Sequence, residues 1–288
     1  MEDGFKGKDL SDKDTRDKYT LLLAGIFEKA TNSSLSRDQL IGVITWVEDP
    51  KRYQQAHKEA FGYDISNEEV PYNLAFTSDT GSIFLNLSAA YLQSNVISKN
   101  AGLLRINSLS SLREMLFHEW EHLFEPLKQD DLIFNVVDPN NRLKGKQVAG
   151  FNVMGYSTSG FLRDLFQGIK EATAELSSKK LNLSLFGSFY NYYPMIPYRG
   201  RIPVAKIVVN LEELLDAANI SIEQMREMRR DSNLRGFLLL LTEQFELNSK
   251  VYSERERISY GLRLFVALAR DEQPILQDYI ERARSNRK

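Results

Sequence analysis

The chain of 288 residues contains no cysteine, which excludes thiolate metal sites, disulfides and cysteine nucleophiles. Histidine is nearly as scarce, with three copies, His57, His118 and His122. Charge of one sign is also lacking. With 37 basic and 39 acidic residues the net charge is −2, so no general attraction to nucleic acid is expected. Basic residues gather around Arg226, Arg229 and Arg230 and again at Arg287 and Lys288, but acidic neighbours dilute them and solvated helix faces account for them. No apolar run is long enough to span a bilayer: Thr20 to Phe27 is short, and Leu238 to Leu241 is shorter still. The first of these follows a segment as acidic as it is basic. It runs into Glu28-Lys29 and not a small-residue cleavage site, so an N-terminal helix is expected in place of a signal peptide. A cysteine-free chain suits the cytosol, and equally a protein exported without disulfides. No internal repeat is apparent. The remaining composition, 42% apolar and 26% charged, is that of a globular chain able to build one large domain or two small ones.

Two of the three histidines fall in one short motif, His118-Glu119-Trp120-Glu121-His122. On a helix, residues four apart lie one turn apart on the same face, so both imidazoles can reach one metal ion. Glu119 projects near that face, where a carboxylate can take a proton from water. HExxH on a helix is the arrangement of zinc hydrolases. The context favours a helix. Ser111 and Glu114 read as a capping box, and Leu112, Met115, Leu116, Leu123 and Leu127 recur at helical spacing. Pro126 ends the segment after about four turns.

A catalytic zinc takes three protein ligands. An extended motif with Gly at 125 and His at 128 is ruled out by Glu125 and Lys128, and His57 lies upstream in a charged helical stretch. A carboxylate is therefore expected, and Glu171 is the best candidate. Its segment reads as a helix capped by Thr158 or Ser159, with an apolar stripe of Leu162, Leu165, Phe166, Ile169, Ala172 and Leu176. Gly168, Ala172 and Ala174 flank Glu171, and small residues permit close helix approach. Glu171 and Glu175 are four apart, so one can bind zinc while the other accepts a hydrogen bond from a ligand histidine. For the oxyanion, tyrosine is the expected donor: Tyr193, within the cluster Tyr190, Tyr192, Tyr193 and Tyr198, or else Tyr156.

HEWEH followed by Glu171-Ala-Thr-Ala-Glu175 resembles the gluzincin metallopeptidases, which carry HExxH on one helix and a glutamate ligand on a later one. The likeness covers roughly residues 70 to 200, with Lys170 and Ala172 where many members of the family have Asn and Gly. It implies zinc held by His118, His122 and Glu171, Glu119 as general base, and Glu175 as a partner of the ligands. It further implies that a strand before the active-site helix is the edge on which an extended peptide lies. Tyr72 to Phe76 and Ser82 to Asn86 read as two strands joined by a hairpin, and Ile83, Phe84, Leu85 and Asn86 are the candidate edge.

The expected fold is therefore α+β and mainly helical. Residues 1–15 are charged and residues 16–65 read as helices, with Ser34 or Ser36 capping the second. A zincin-like core over residues 66–203 holds a small antiparallel sheet before the HExxH helix, and residues 204–288 are helical, with Pro274 opening the last helix. The expected activity is zinc-dependent hydrolysis of a peptide or protein. The alternative is a zincin-fold protein that binds a peptide or partner without cleaving it, which the intact Glu119 disfavours. A structural or absent zinc, with the C-terminal helices as an interaction module, is the third reading.

Overall fold

Short polar residues start many of the helices, because their side chains satisfy backbone N–H groups that have no partner in the first turn. The computed structural model describes residues 3–5, 8, 10, 12–67, 70, 73–78, 80–87, 108–157, 162–187, 204–243 and 252–286. Within them the chain is mainly helical and divides into two units, Met1–Leu123 with Leu181–Tyr192, and Phe124–Lys180 with Tyr193–Lys288.

In the first unit, α1 (Lys13–Thr31) starts at Asp12, whose carboxylate accepts from Thr15 N, and α2 (Arg37–Gly42) starts at a capping box of Ser36 and Gln39. A strand, β1 (Ile44–Val47), follows, then α3 (Pro50–Phe61), which begins with Asp49 as cap and Pro50 in its first turn. β2 (Ala75–Thr77) and β3 (Ile83–Asn86) form the expected hairpin, and α4 (Ser108–His122) carries HEWEH. α4 is anchored on its apolar side. Phe27 packs on Phe117 and Trp120 with centroids 5.4 and 5.2 Å apart, and Trp120 Nε1 donates to Leu40 O at 3.1 Å.

This sheet departs from the expected one in two ways. Residues 16–65 are not all helical, since Ile44-Thr-Trp-Val47 is a strand, as its β-branched and aromatic residues favour. β1 then pairs in parallel with β3, so the order is β1-β3-β2 and the sheet is mixed. Ile83, Phe84, Leu85 and Asn86 are consequently central and not an edge, with both rows of their backbone groups committed to neighbouring strands.

The second unit opens with α5 (Asp131–Val137), capped by Asp130. The loop expected near Asp138 to Arg142 follows, fastened by Asp138, which accepts from Arg142 N, Leu143 N and Lys146 Nζ. Next comes an antiparallel meander absent from the sequence reading: β4 (Lys144–Ala149), β5 (Asn152–Tyr156) and β6 (Leu162–Asp164). Its first turn is the two residues Gly150-Phe151, with Gly150 at φ 58°, a conformation that favours glycine at the first turn position.

α6 (Gln167–Phe186) carries Glu171, and its last turns, from Leu181, belong to the first unit. It starts later than its sequence suggested, because Leu162 lies in a strand; Thr158 and Ser159 lie outside the described residues. The remaining helices are α7 (Val204–Ala218), α8 (Ile222–Arg230), α9 (Leu234–Glu243), α10 (Glu254–Arg270) and α11 (Gln273–Ser285). Ser221 and Ser253 cap α8 and α10 with full capping boxes, and Pro274 sits in the first turn of α11. One core joins these helices to the start of α6, with Ile169, Ala172 and Leu176 packed among Ile207, Leu211, Phe237 and Phe265. Among the described residues no helix is long and apolar enough to cross a membrane.

Candidate metal centre

α4 spans 15 residues, close to the expected four turns, and ends at His122. Ser111 sits inside it and not at its start, and Leu127 lies beyond its end, where it is exposed. The buried apolar side turns HEWEH the right way. Trp120, the middle residue, is fully buried, which leaves the two histidines to share another face. Their Nε2 atoms approach to 3.2 Å, with the rings inclined at 76°. Two nitrogens each about 2.0–2.1 Å from one tetrahedral zinc stand about 3.3 Å apart, so the pair already has the spacing of two ligands.

Glu171, the expected third ligand, lies on α6 in the second unit, whereas both histidines belong to the first. Two imidazoles and a carboxylate are a donor set that suits zinc, with a fourth position remaining for water or substrate. Glu119 and Glu175 are both buried. Glu119 is held by a residue the sequence reading did not single out, as the Thr77 hydroxyl on β2 donates to Glu119 Oε2 at 2.7 Å and lies 3.3 Å from Glu119 O.

Glu171 is oriented from its own helix. Gln167, one turn earlier, donates from Nε2 to Glu171 Oε1 at 2.7 Å. Gln167 accepts in turn from Asn152 Nδ2 at 3.4 Å, and Asn152 Oδ1 receives Phe166 N at 2.9 Å. Asn152 is fully buried, so a residue on β5 fixes both the start of α6 and the side chain that steadies Glu171. Gln at i and Glu at i+4 is a spacing legible in sequence, whereas the reach of Asn152 is not.

The segment after His122 is also tied down. The Glu125 side chain is almost wholly buried and forms ion pairs with Arg229 (Nη1 to Oε1, 2.6 Å) and Lys170 (Nζ to Oε2, 3.3 Å). Gly150 makes room for them, since a Cβ there would come within 2.8 Å of the Glu125 carboxyl carbon. Ser232 bridges the same place by accepting from Gly150 N and donating to Pro126 O.

The other candidates fall elsewhere. His57 is buried among the rings of Phe61, Tyr63 and Phe76 and has a packing role. Tyr156 ends β5 half exposed, with its ring 3.5 Å from the position of a Cβ at Gly145. Tyr193 and the tyrosines around it lie outside the described residues. No family model matches the chain, and no curated protein or solved structure matches it either.

Proposed function

We propose that the chain is a zinc-dependent metallopeptidase of the gluzincin type. The observation that carries this reading is the pair of histidines one turn apart on α4, Nε2 to Nε2 3.2 Å, with Glu119 beside them. His118, His122 and Glu171 would hold the ion, and Glu175 would support the ligands through a hydrogen bond. Zinc bound there would supply Lewis acidity, polarising the scissile carbonyl and making water acidic enough to attack it. The remaining work belongs to the chain. Glu119 takes the proton from the attacking water and delivers it to the leaving amine nitrogen. β2 takes the place first assigned to β3 as the peptide-binding edge. It adjoins α4 through Thr77 and pairs on one side only, with β3, among the described residues. An extended substrate adding to that edge would be held by main-chain hydrogen bonds, with little demand on its sequence.

The test is metal content and hydrolysis measured on the same preparations. Elemental analysis should find about one zinc per chain, lost in His118→Ala. Glu119→Ala should keep the zinc and lower the hydrolysis of an unstructured protein substrate by about 10²–10⁴-fold. No zinc in the wild-type protein and no uptake on titration would sink the reading.

A further inference from the structure

We propose that Thr77 is a positioning residue for the general base, an inference that rests on the assignment of Glu119 above. A glutamate side chain has several rotatable bonds, and holding it in one geometry costs conformational entropy. Proton transfer requires such a geometry, with the carboxylate oxygen within hydrogen-bond reach of the water it deprotonates. In α4 the backbone of Glu119 is fixed by the helix, but nothing in a helix fixes the plane of its carboxylate.

Thr77 supplies that constraint. Its hydroxyl donates to Oε2 at 2.7 Å, a charge-assisted bond when Glu119 is ionised, and so sets where Oε1 points. The hydroxyl also lies 3.3 Å from Glu119 O, bracing the carboxylate against its own backbone. The donor is well anchored. Thr77 is opposite Ile83 in the ladder, and the turn beyond it is closed by Ser78 N to Ser82 O at 2.8 Å and Ser82 N to Ser78 Oγ at 3.1 Å. A β-branched side chain on a strand has few χ1 choices, so the hydroxyl is held where Glu119 needs it. The strand proposed to receive the substrate therefore also orients the base, and substrate contact and proton transfer share one rigid element.

The experiment uses acetohydroxamate, a small metal chelator that passes its hydroxyl proton to a neighbouring carboxylate. Its affinity for the zinc-loaded full chain is measured by calorimetry, beside zinc affinity, for wild type, Thr77→Val, Thr77→Ser, Thr77→Ala and Glu119→Ala. Thr77→Val keeps the shape and removes the donor, and should weaken acetohydroxamate about tenfold with zinc affinity unchanged. Thr77→Ser restores the donor and should return to within about threefold of wild type. If the valine variant fails to fold, the contrast between Ala and Ser reads the same effect. A valine variant that binds like wild type while Glu119→Ala is weakened overturns the role of Thr77 alone, as does a serine variant as weak as valine. A wild-type protein that takes up no zinc, or a Glu119→Ala variant that binds the probe undiminished, overturns the underlying reading and the proposal with it.

Discussion

α6 and α10 are helices of similar length that solve different problems. α10 is one-sided. Ile258, Gly261, Leu262, Leu264, Phe265, Ala267 and Leu268 are buried together with Arg257, whose guanidinium donates to Thr242 Oγ1 and Leu239 O, and Glu254, Arg255, Arg263 and Arg270 face water. α6 is buried without a break from Ala172 to Ser178, and Thr173, Glu175, Ser177 and Ser178 are buried along with Ala172, Ala174 and Leu176. Enclosing polar side chains costs free energy unless each is hydrogen-bonded, and enclosing a carboxylate costs more. Nothing about stability alone calls for Glu175 in that place, because an apolar residue of similar volume would fill it. The difference teaches where to look for function: α10 is the helix a stable fold needs, and α6 is the helix on which the proposed site draws.

That contrast can be broken by substitutions that act on one helix and not the other. The largest effect on stability should come from α10. Phe265 is fully buried against Phe151, Phe166 and Phe237, so Phe265→Ala should cost about 3–5 kcal/mol in denaturant unfolding. Zinc stoichiometry under native conditions should not change. On α6 the pattern should reverse. Glu175→Gln keeps the side-chain shape, and should lower zinc affinity about 10–100-fold, as loss of a ligand's supporting partner does, with little change in the unfolding midpoint of the metal-free protein. Equal zinc affinity in wild type and Glu175→Gln would remove Glu175 from the site and leave its burial to be explained by packing.

The same contrast marks what could be read from the sequence. α10 and its neighbours announced themselves locally: Ser221 and Ser253 before apolar periodicity, and Pro274 at the start of α11, are signals contained within one turn of the boundary they set. HEWEH was equally local. Glu171 is legible as a candidate because cysteine is absent, no third histidine is well placed, and small residues flank it on a helix of its own. What escaped notice acts over distance. β3 reads as an edge in the sequence because its parallel partner, β1, lies on the far side of α3, and no local periodicity reports such a pairing. Thr77 and Glu119 are far apart in sequence, and a threonine in a polar hairpin resembles any other turn residue. The meander after α5 carried one legible sign, Gly150 at a two-residue turn, but Lys144-Gly-Lys-Gln is too polar to read as a strand by itself.

The smallest effect lies at the end of α10, where a charge steadies the structural helix. Asp271 caps it in the left-handed region, φ 56°. Its carboxyl is held below the ordinary aspartate value, chiefly by a hydrogen bond from Lys206, with Asn210 and Gln273 adding theirs against a desolvation cost. A carboxyl depressed in the folded state contributes stability that is present above its unfolded pKa and disappears as the pH falls through the folded one. Asp271→Asn tests this cleanly, since asparagine tolerates the left-handed backbone and removes only the charge. Lys206 is half exposed, so solvent screening should keep the loss at neutral pH below about 1 kcal/mol. The two proteins should converge in stability in acid, once Asp271 of the wild type is protonated. A difference that persisted at the lowest pH would mean that Asp271 acts through hydrogen bonds that asparagine does not reproduce, those from Asn210 and Gln273 among them, and not through its charge.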